Sequence, residues 1–129
     1  MKNLLIAFIA FTACTVMSCS QDNKITKEKL CGKKWYPTKM EAGGKSEEVK
    51  GDKAYYEYKT NDSMTMTKGE FADNYKYDFD EASKTVSIKG GDGNENVKQE
   101  ILKLDDKHLE MNQTIKALNI TMKMYFEAR

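Results

Sequence analysis

The sequence predicts an all-β protein, in which eight short antiparallel strands run up and down and close into a barrel after one helical turn. Three observations support this prediction. From Trp35 onward apolar side chains recur at every second position, turn residues separate the segments, and no long amphipathic helical pattern interrupts them. Each segment has one apolar and one polar face, as in a sheet with one side on a core. Closure of eight such strands leaves no exposed edge.

The elements follow in a simple order along the chain. A helical turn is predicted at residues 25–30, and Gly32 ends it. Strands are predicted at residues 35–41, 53–59, 63–68, 74–80, 85–89, 97–104, 108–113 and 117–126. Gly43-Gly44, Asn61-Asp62 and the 105–107 segment provide turn residues between them. Sequential hairpins make a meander the simplest topology.

Alternation also predicts the side chains that point into the barrel. In the last strand Leu118 and Ile120 share the inward face, and in the sixth strand Leu102 aligns with Leu104. The larger inward set consists of bulky or adaptable residues: Tyr56, Tyr58, Met64, Met66, Tyr75, Tyr77, Phe79, Met111, Met122 and Met124. Methionine adapts to irregular apolar contacts, and a buried tyrosine hydroxyl needs a partner. This composition favours a cavity for a small apolar or amphipathic ligand. The alternative is a barrel filled by its own side chains.

The N-terminal segment predicts where the protein resides. After Lys2, residues 4–16 form an apolar run that is too short to span ~30 Å of hydrocarbon as a helix. The run ends at Val16-Met17-Ser18-Cys19, which resembles the bacterial lipoprotein signal. The resemblance implies a signal peptide at 1–18 and acyl chains such as palmitate on Cys19. The polar segment that follows predicts a tether at 19–29, before the barrel domain at 30–129. The resemblance also implies attachment to the cell envelope, at the outer membrane. The alternatives are a secretory signal with a chance cysteine, an uncleaved anchor, or acylation at Cys14.

Charge and reactive residues narrow the function classes. The chain has 21 basic and 20 acidic residues, so its net charge of +1 gives no basis for binding nucleic acid. With His108 as the single histidine, no catalytic set, metal site or cofactor is predicted, and the protein is not expected to be an enzyme. Asp106, His108 and Glu110 share a face, which could hold a metal ion weakly, but the preferred interpretation is a solvated hairpin tip. Cys31 is expected to be a packed thiol at the barrel entrance.

The segment Gly32-Lys33-Lys34-Trp35, placed at the first strand of an eight-stranded meander, resembles the lipocalins. It is most similar to the lipocalin-like, calycin-type domains of small bacterial lipoproteins. The resemblance extends over residues 30–129, through the alternating segments 55–58, 63–67, 75–79 and 86–88.

The predicted closure joins the first and last strands, and brings the segment after Phe126 beside Trp35. Arg129 is then expected to stack on the Trp35 indole, as the resemblance to lipocalins also implies, with a bulge near Pro37. Two functions remain open: non-catalytic binding of a small hydrophobic ligand, or a solid barrel that binds another envelope protein as an inhibitor or assembly accessory.

Overall fold

The computed structural model describes residues 24–91 and 93–129, in which the strands form a closed antiparallel barrel with up-and-down order. The predictions for residues 1–18, Cys14 and Cys19 lie outside the described residues. One helical turn, α1 (Lys27–Leu30), precedes the barrel. The strands are β1 (Lys34–Ala42), β2 (Lys45–Glu48), β3 (Ala54–Tyr58), β4 (Ser63–Lys68), β5 (Phe71–Asp80), β6 (Thr85–Lys89), β7 (Glu95–Leu104), β8 (His108–Ile115) and β9 (Ile120–Ala128). The predicted all-β fold, with its eight-stranded barrel and helical turn, is confirmed.

The helical turn α1 covers one end of the barrel. Thr26 caps it, because its side-chain oxygen accepts a hydrogen bond from the Lys29 N–H at 3.4 Å. Leu30 is fully buried, and its carbonyl accepts a hydrogen bond from the Trp35 indole nitrogen at 2.9 Å. Gly32 then turns the chain into β1 with a φ of +79°, a conformation that favours glycine. This end of the barrel is therefore closed by the chain that enters it.

Two short strands, β2 and β3, together occupy the position next to β1 in the barrel. β1 pairs with β3 through Lys34 and Trp35, and with β2 through residues 39–42 on the same edge. The sequence did not predict β2, because its four side chains, Lys-Ser-Glu-Glu, are all exposed and show no apolar alternation. Since β2 and β3 lie one after the other beside β1, nine strands make an eight-membered barrel.

The closing seam between β1 and β9 has the predicted pairing and bulge. Trp35 pairs with Ala128, and the register shifts between Pro37 and Lys39. Thr38 lies at this shift, and its hydroxyl donates to the Tyr125 carbonyl at 3.2 Å. The shift is consistent with a β-bulge near a proline, which cannot donate to the ladder.

The predicted stacking of Arg129 on Trp35 is wrong. The Arg129 guanidinium lies 5.0 Å from the centre of the Tyr36 ring, while Lys33 Nζ lies 5.6 Å from the Trp35 ring. Successive side chains of a strand point to opposite faces, so Trp35 is fully buried and its neighbour Tyr36 faces outward. The arginine therefore contacts the outer surface of the seam.

Two predictions of inward apolar residues are corrected. Ile120 is 43% exposed and Leu118 is 64% exposed. The reason is that β9 begins only at Ile120, which pairs with Ile115 at the end of β8, so that Leu118 lies in the turn between the two strands. In β7 the register shifts between Ile101 and Lys103, so that Ile101 and Leu104 are buried and Leu102 is exposed. A bulge reverses the phase of alternation, which a count of every second residue does not detect.

Candidate functional site

A cavity of about 590 Å³ lies at the end of the barrel opposite α1. It is bordered by the bend between β2 and β3 and by the hairpin of β4 and β5. Its wall is mainly apolar and includes Met40, Val49, Tyr56, Met66, Phe71, Tyr75 and Met124. Alternation along β3, β4 and β5 places Tyr56, Met66 and Tyr75 on the inner face of the sheet, next to this space.

The structure places all ten predicted inward residues in the core or packed against it. Four of them line the cavity: Tyr56, Met66, Tyr75 and Met124. The other six lie outside its lining, and Tyr58, Met64, Tyr77 and Met111 are buried while Phe79 and Met122 are partly buried. The interior is therefore filled toward α1 and open toward the opposite end.

A polar network crosses the interior, and the sequence prediction missed it. Gln99 is fully buried and Gln113 is 5% exposed. Tyr58 Oη donates to Gln99 Oε1 at 2.6 Å, and Gln99 Nε2 donates to Gln113 Oε1 at 2.8 Å. Tyr56 Oη donates to the same Gln113 oxygen at 3.1 Å. We call these four side chains the tyrosine–glutamine network.

The network joins opposite walls of the barrel. In the cyclic order of eight places, β3 stands four places from β7, so Tyr56 and Tyr58 reach across the interior to Gln99 on β7 and Gln113 on β8. The alternation of the sequence could have revealed these glutamines. Gln99 lies two residues after Val97, and Gln113 two residues after Met111, so each is at an inward position of its strand. Reading these glutamines as interruptions of an apolar pattern hides the network.

Burial keeps the tyrosine hydroxyls protonated. It raises the pKa of Tyr56 and, more strongly, that of Tyr58, because the phenolate would lose its hydration inside the barrel. The hydrogen bonds to Gln113 and Gln99 act in the opposite direction on these pKa values but are the smaller influence. Both hydroxyls therefore remain neutral donors to the glutamine oxygens.

The end near α1 is sealed by a second set of contacts. Tyr77 Oη donates to the Lys59 carbonyl at 2.6 Å, and Cys31 Sγ lies 3.1 Å from the same hydroxyl. The Tyr77 ring meets Tyr58 edge-on, with centroids 5.5 Å apart. Cys31 is thus a buried thiol, packed where the chain enters the barrel at the α1 end, as predicted.

The segment around His108 is a solvated hairpin tip, as predicted. Asp105 Oδ1 accepts the backbone N–H groups of Lys107 at 2.8 Å and His108 at 2.7 Å. These bonds, led by that from Lys107, lower the pKa of Asp105. Within residues 24–91 and 93–129, no group of three His, Cys, Asp or Glu side chains is placed to hold a metal ion.

The charges near the cavity lie at its edge. Lys68 and Asp73 contribute to the lining, and both are exposed.

Across the described part of the chain, no helix has the length and apolar character to cross a membrane. Comparisons with protein-family models, with curated proteins and with solved structures found no match for this chain.

Proposed function

We propose that this chain is a lipid-anchored protein of the bacterial cell envelope, whose lipocalin-like barrel binds one small apolar or amphipathic molecule without catalysis. The observation that carries the proposal is the cavity of about 590 Å³ at the open end. Its volume falls within the ~300–1,000 Å³ that is usual for small-molecule sites. Its wall combines methionine side chains, which adapt to ligand shape, with aromatic rings.

A copurifying ligand is the direct test of binding. The protein is purified without detergent and its native mass is compared with its denatured mass, with Met66→Trp as the variant that fills the cavity. Lys76→Trp adds the same ring on the exposed face of the neighbouring strand and serves as the control. We expect a bound molecule in the wild type and the control, and its loss from Met66→Trp. A barrel that is empty in every preparation would contradict the proposal.

The anchor is supported by the sequence of residues 1–19, which ends in Ser18-Cys19 after the apolar run. Stable attachment needs more than one acyl chain, and lipoprotein processing supplies several. We expect Cys19→Ala to release the protein from membranes or to block its processing, and Cys14→Ala to leave both unchanged. Membrane fractionation and intact mass measure the two effects. An unchanged Cys19→Ala variant would contradict lipidation at this residue.

A second candidate function is an interaction module that binds another envelope protein. Its support is the exposure of Phe71 (77%) and Leu118 (64%) at hairpins of the open end. Leu118 does not line the cavity, so Leu118→Asp separates the two functions. If the module binds a partner through this surface, the variant loses cross-linking to that partner in the envelope and keeps its native fold. Unchanged cross-linking would contradict this role.

A further inference from the structure

We propose that the cavity recognises a neutral hydrogen-bond acceptor on its ligand, such as an amide or ester carbonyl, through the Gln113 side-chain amide beside Tyr56. The inference rests on the proposed ligand binding and adds the chemical class of the ligand. The ligand would be an apolar chain that carries one uncharged carbonyl group. The chain would lie against the methionine and aromatic wall, with the carbonyl at the inner end.

The direction of the hydrogen bonds leaves one donor available. Tyr56 Oη and Gln99 Nε2 both donate to Gln113 Oε1, at 3.1 Å and 2.8 Å. The Gln113 oxygen therefore accepts twice, and its amide nitrogen carries two N–H groups. Among the described residues, the hydrogen bonds of Gln113 all end on its oxygen. The Gln113 amide nitrogen is thus the end of the network that can still donate.

Gln113 lies inside the barrel, behind a residue that lines the cavity. Gln113 is only 5% exposed. It lies on the inner face of β8, in phase with Leu109 and Met111. Tyr56 connects it to the cavity, because the Tyr56 residue lines the cavity and its hydroxyl contacts Gln113. Gln113 Nε2 has no hydrogen-bond partner among the described residues, yet it is not one of their fully buried unpaired atoms, so it keeps a small surface that a ligand can reach. An acceptor inside the barrel would pair with it.

The charge distribution favours a neutral acceptor over a carboxylate. In the described part of the cavity wall the single cationic side chain is Lys68, which is exposed at the edge together with Asp73. A carboxylate placed at Gln113 would lose its hydration without gaining a cation. The neighbouring Tyr56 and Tyr58 hydroxyls donate to glutamine oxygens and carry no charge. A carbonyl oxygen needs only the donor that Gln113 offers.

The test compares three probes with the same alkyl chain: dodecane, dodecanamide and dodecanoate. Each competes with N-phenyl-1-naphthylamine for the full-length protein, and reporter fluorescence measures displacement. We expect dodecanamide to bind roughly 5- to 10-fold more tightly than dodecane, as one net hydrogen bond allows, and dodecanoate to bind no better than dodecane. In Gln113→Leu the amide should lose this advantage while dodecane binds as before. Asn112→Leu makes the same replacement on the outer face of β8 and should change neither value.

The outcomes separate this inference from the proposed function. Equal binding of the three probes by the wild type, or a Gln113→Leu variant that keeps its preference for the amide, would overturn the inference and leave ligand binding intact. Failure of the reporter and all probes to bind would refute both. If Gln113→Leu does not fold, the wild-type affinities decide without any variant, because equal affinity for dodecanamide and dodecanoate contradicts the inference.

Discussion

The hydrogen bond between Tyr58 and Gln99 gives the sharpest test of the interior. Both residues are fully buried, and the distance of 2.6 Å joins the Tyr58 hydroxyl to Gln99 Oε1. Tyr58→Phe keeps the ring and its edge-on contact with Tyr77, but leaves the Gln99 oxygen without its donor. Since an unpaired buried acceptor costs about 1–3 kcal/mol, we expect the free energy of unfolding to fall by that amount. Gln99→Leu should cost a similar amount, because it strands the Tyr58 hydroxyl.

The two changes should not add. In the double variant both partners are gone, so neither buried group is left unpaired, and the combined loss should be about 1–2 kcal/mol smaller than the sum. Equilibrium urea unfolding measures each value, provided that the denaturant slope is the same in all four proteins. Tyr36→Phe, on the outer face, is the control and should stay within ~0.5 kcal/mol of the wild type. An interaction energy of zero within error would refute the bond and the network that depends on it.

Three further predictions concern pH, the open end and the seam. Burial raises the pKa of Tyr58, so above pH ~10 the unfolded chain loses a proton that the folded protein keeps. The contribution of Tyr58 to stability is then full below pH ~10 and falls above it by up to ~1.4 kcal/mol per pH unit. Tyr58→Phe should therefore show a shallower fall than the wild type in urea titrations, and equal slopes would contradict this. Met124→Ala should cost ~2–5 kcal/mol in the same assay and Ile120→Ala clearly less, because Met124 is 5% and Ile120 43% exposed; equal costs would show the burial to be wrong. In double-mutant cycles of the unfolding free energy, Arg129→Ala should show a coupling energy of ~0.5–1 kcal/mol with Tyr36→Leu and none with Trp35→Phe. The reverse pattern would show that Arg129 stacks on Trp35 after all.

Most of the fold was predictable because each of the eight predicted strands has one buried face. Val86 and Ile88 on β6, or Leu109 and Met111 on β8, repeat at the period of a strand and are buried as that period requires. The prediction failed where pairing is decided by something other than burial. β2 has no buried face and is held by its ladder with β1, and the shift near Leu102 depends on local backbone geometry.

The interior was predictable as a set of residues but not as a site. All ten bulky residues of the predicted inward set are in or against the core, since alternation fixes the face on which a side chain lies. Leu102, Leu118 and Ile120 are the exceptions, because a bulge or a strand end decides their exposure. Alternation says nothing of height along the barrel axis, and height decides whether a residue fills the core or lines the cavity. Tyr58 and Tyr56 share a face two residues apart, yet only Tyr56 lines the cavity. Gln99 and Gln113 were missed because a polar residue at an inward position has no apolar signal.

The location of the cavity follows from a mismatch in length beside β1. Lys39 pairs with Glu48, and Trp35 pairs with Tyr56. Residues 36–38 of β1 therefore face residues 49–55, the segment that runs from β2 to β3. The longer segment cannot continue the ladder residue for residue, and Pro37 has no N–H to offer it. Residues of this segment, with Pro37 itself, line the cavity. The cavity is therefore bordered by the interruption between β2 and β3, and the polar sequence of residues 50–53 keeps that segment in solvent instead of closing it over the core.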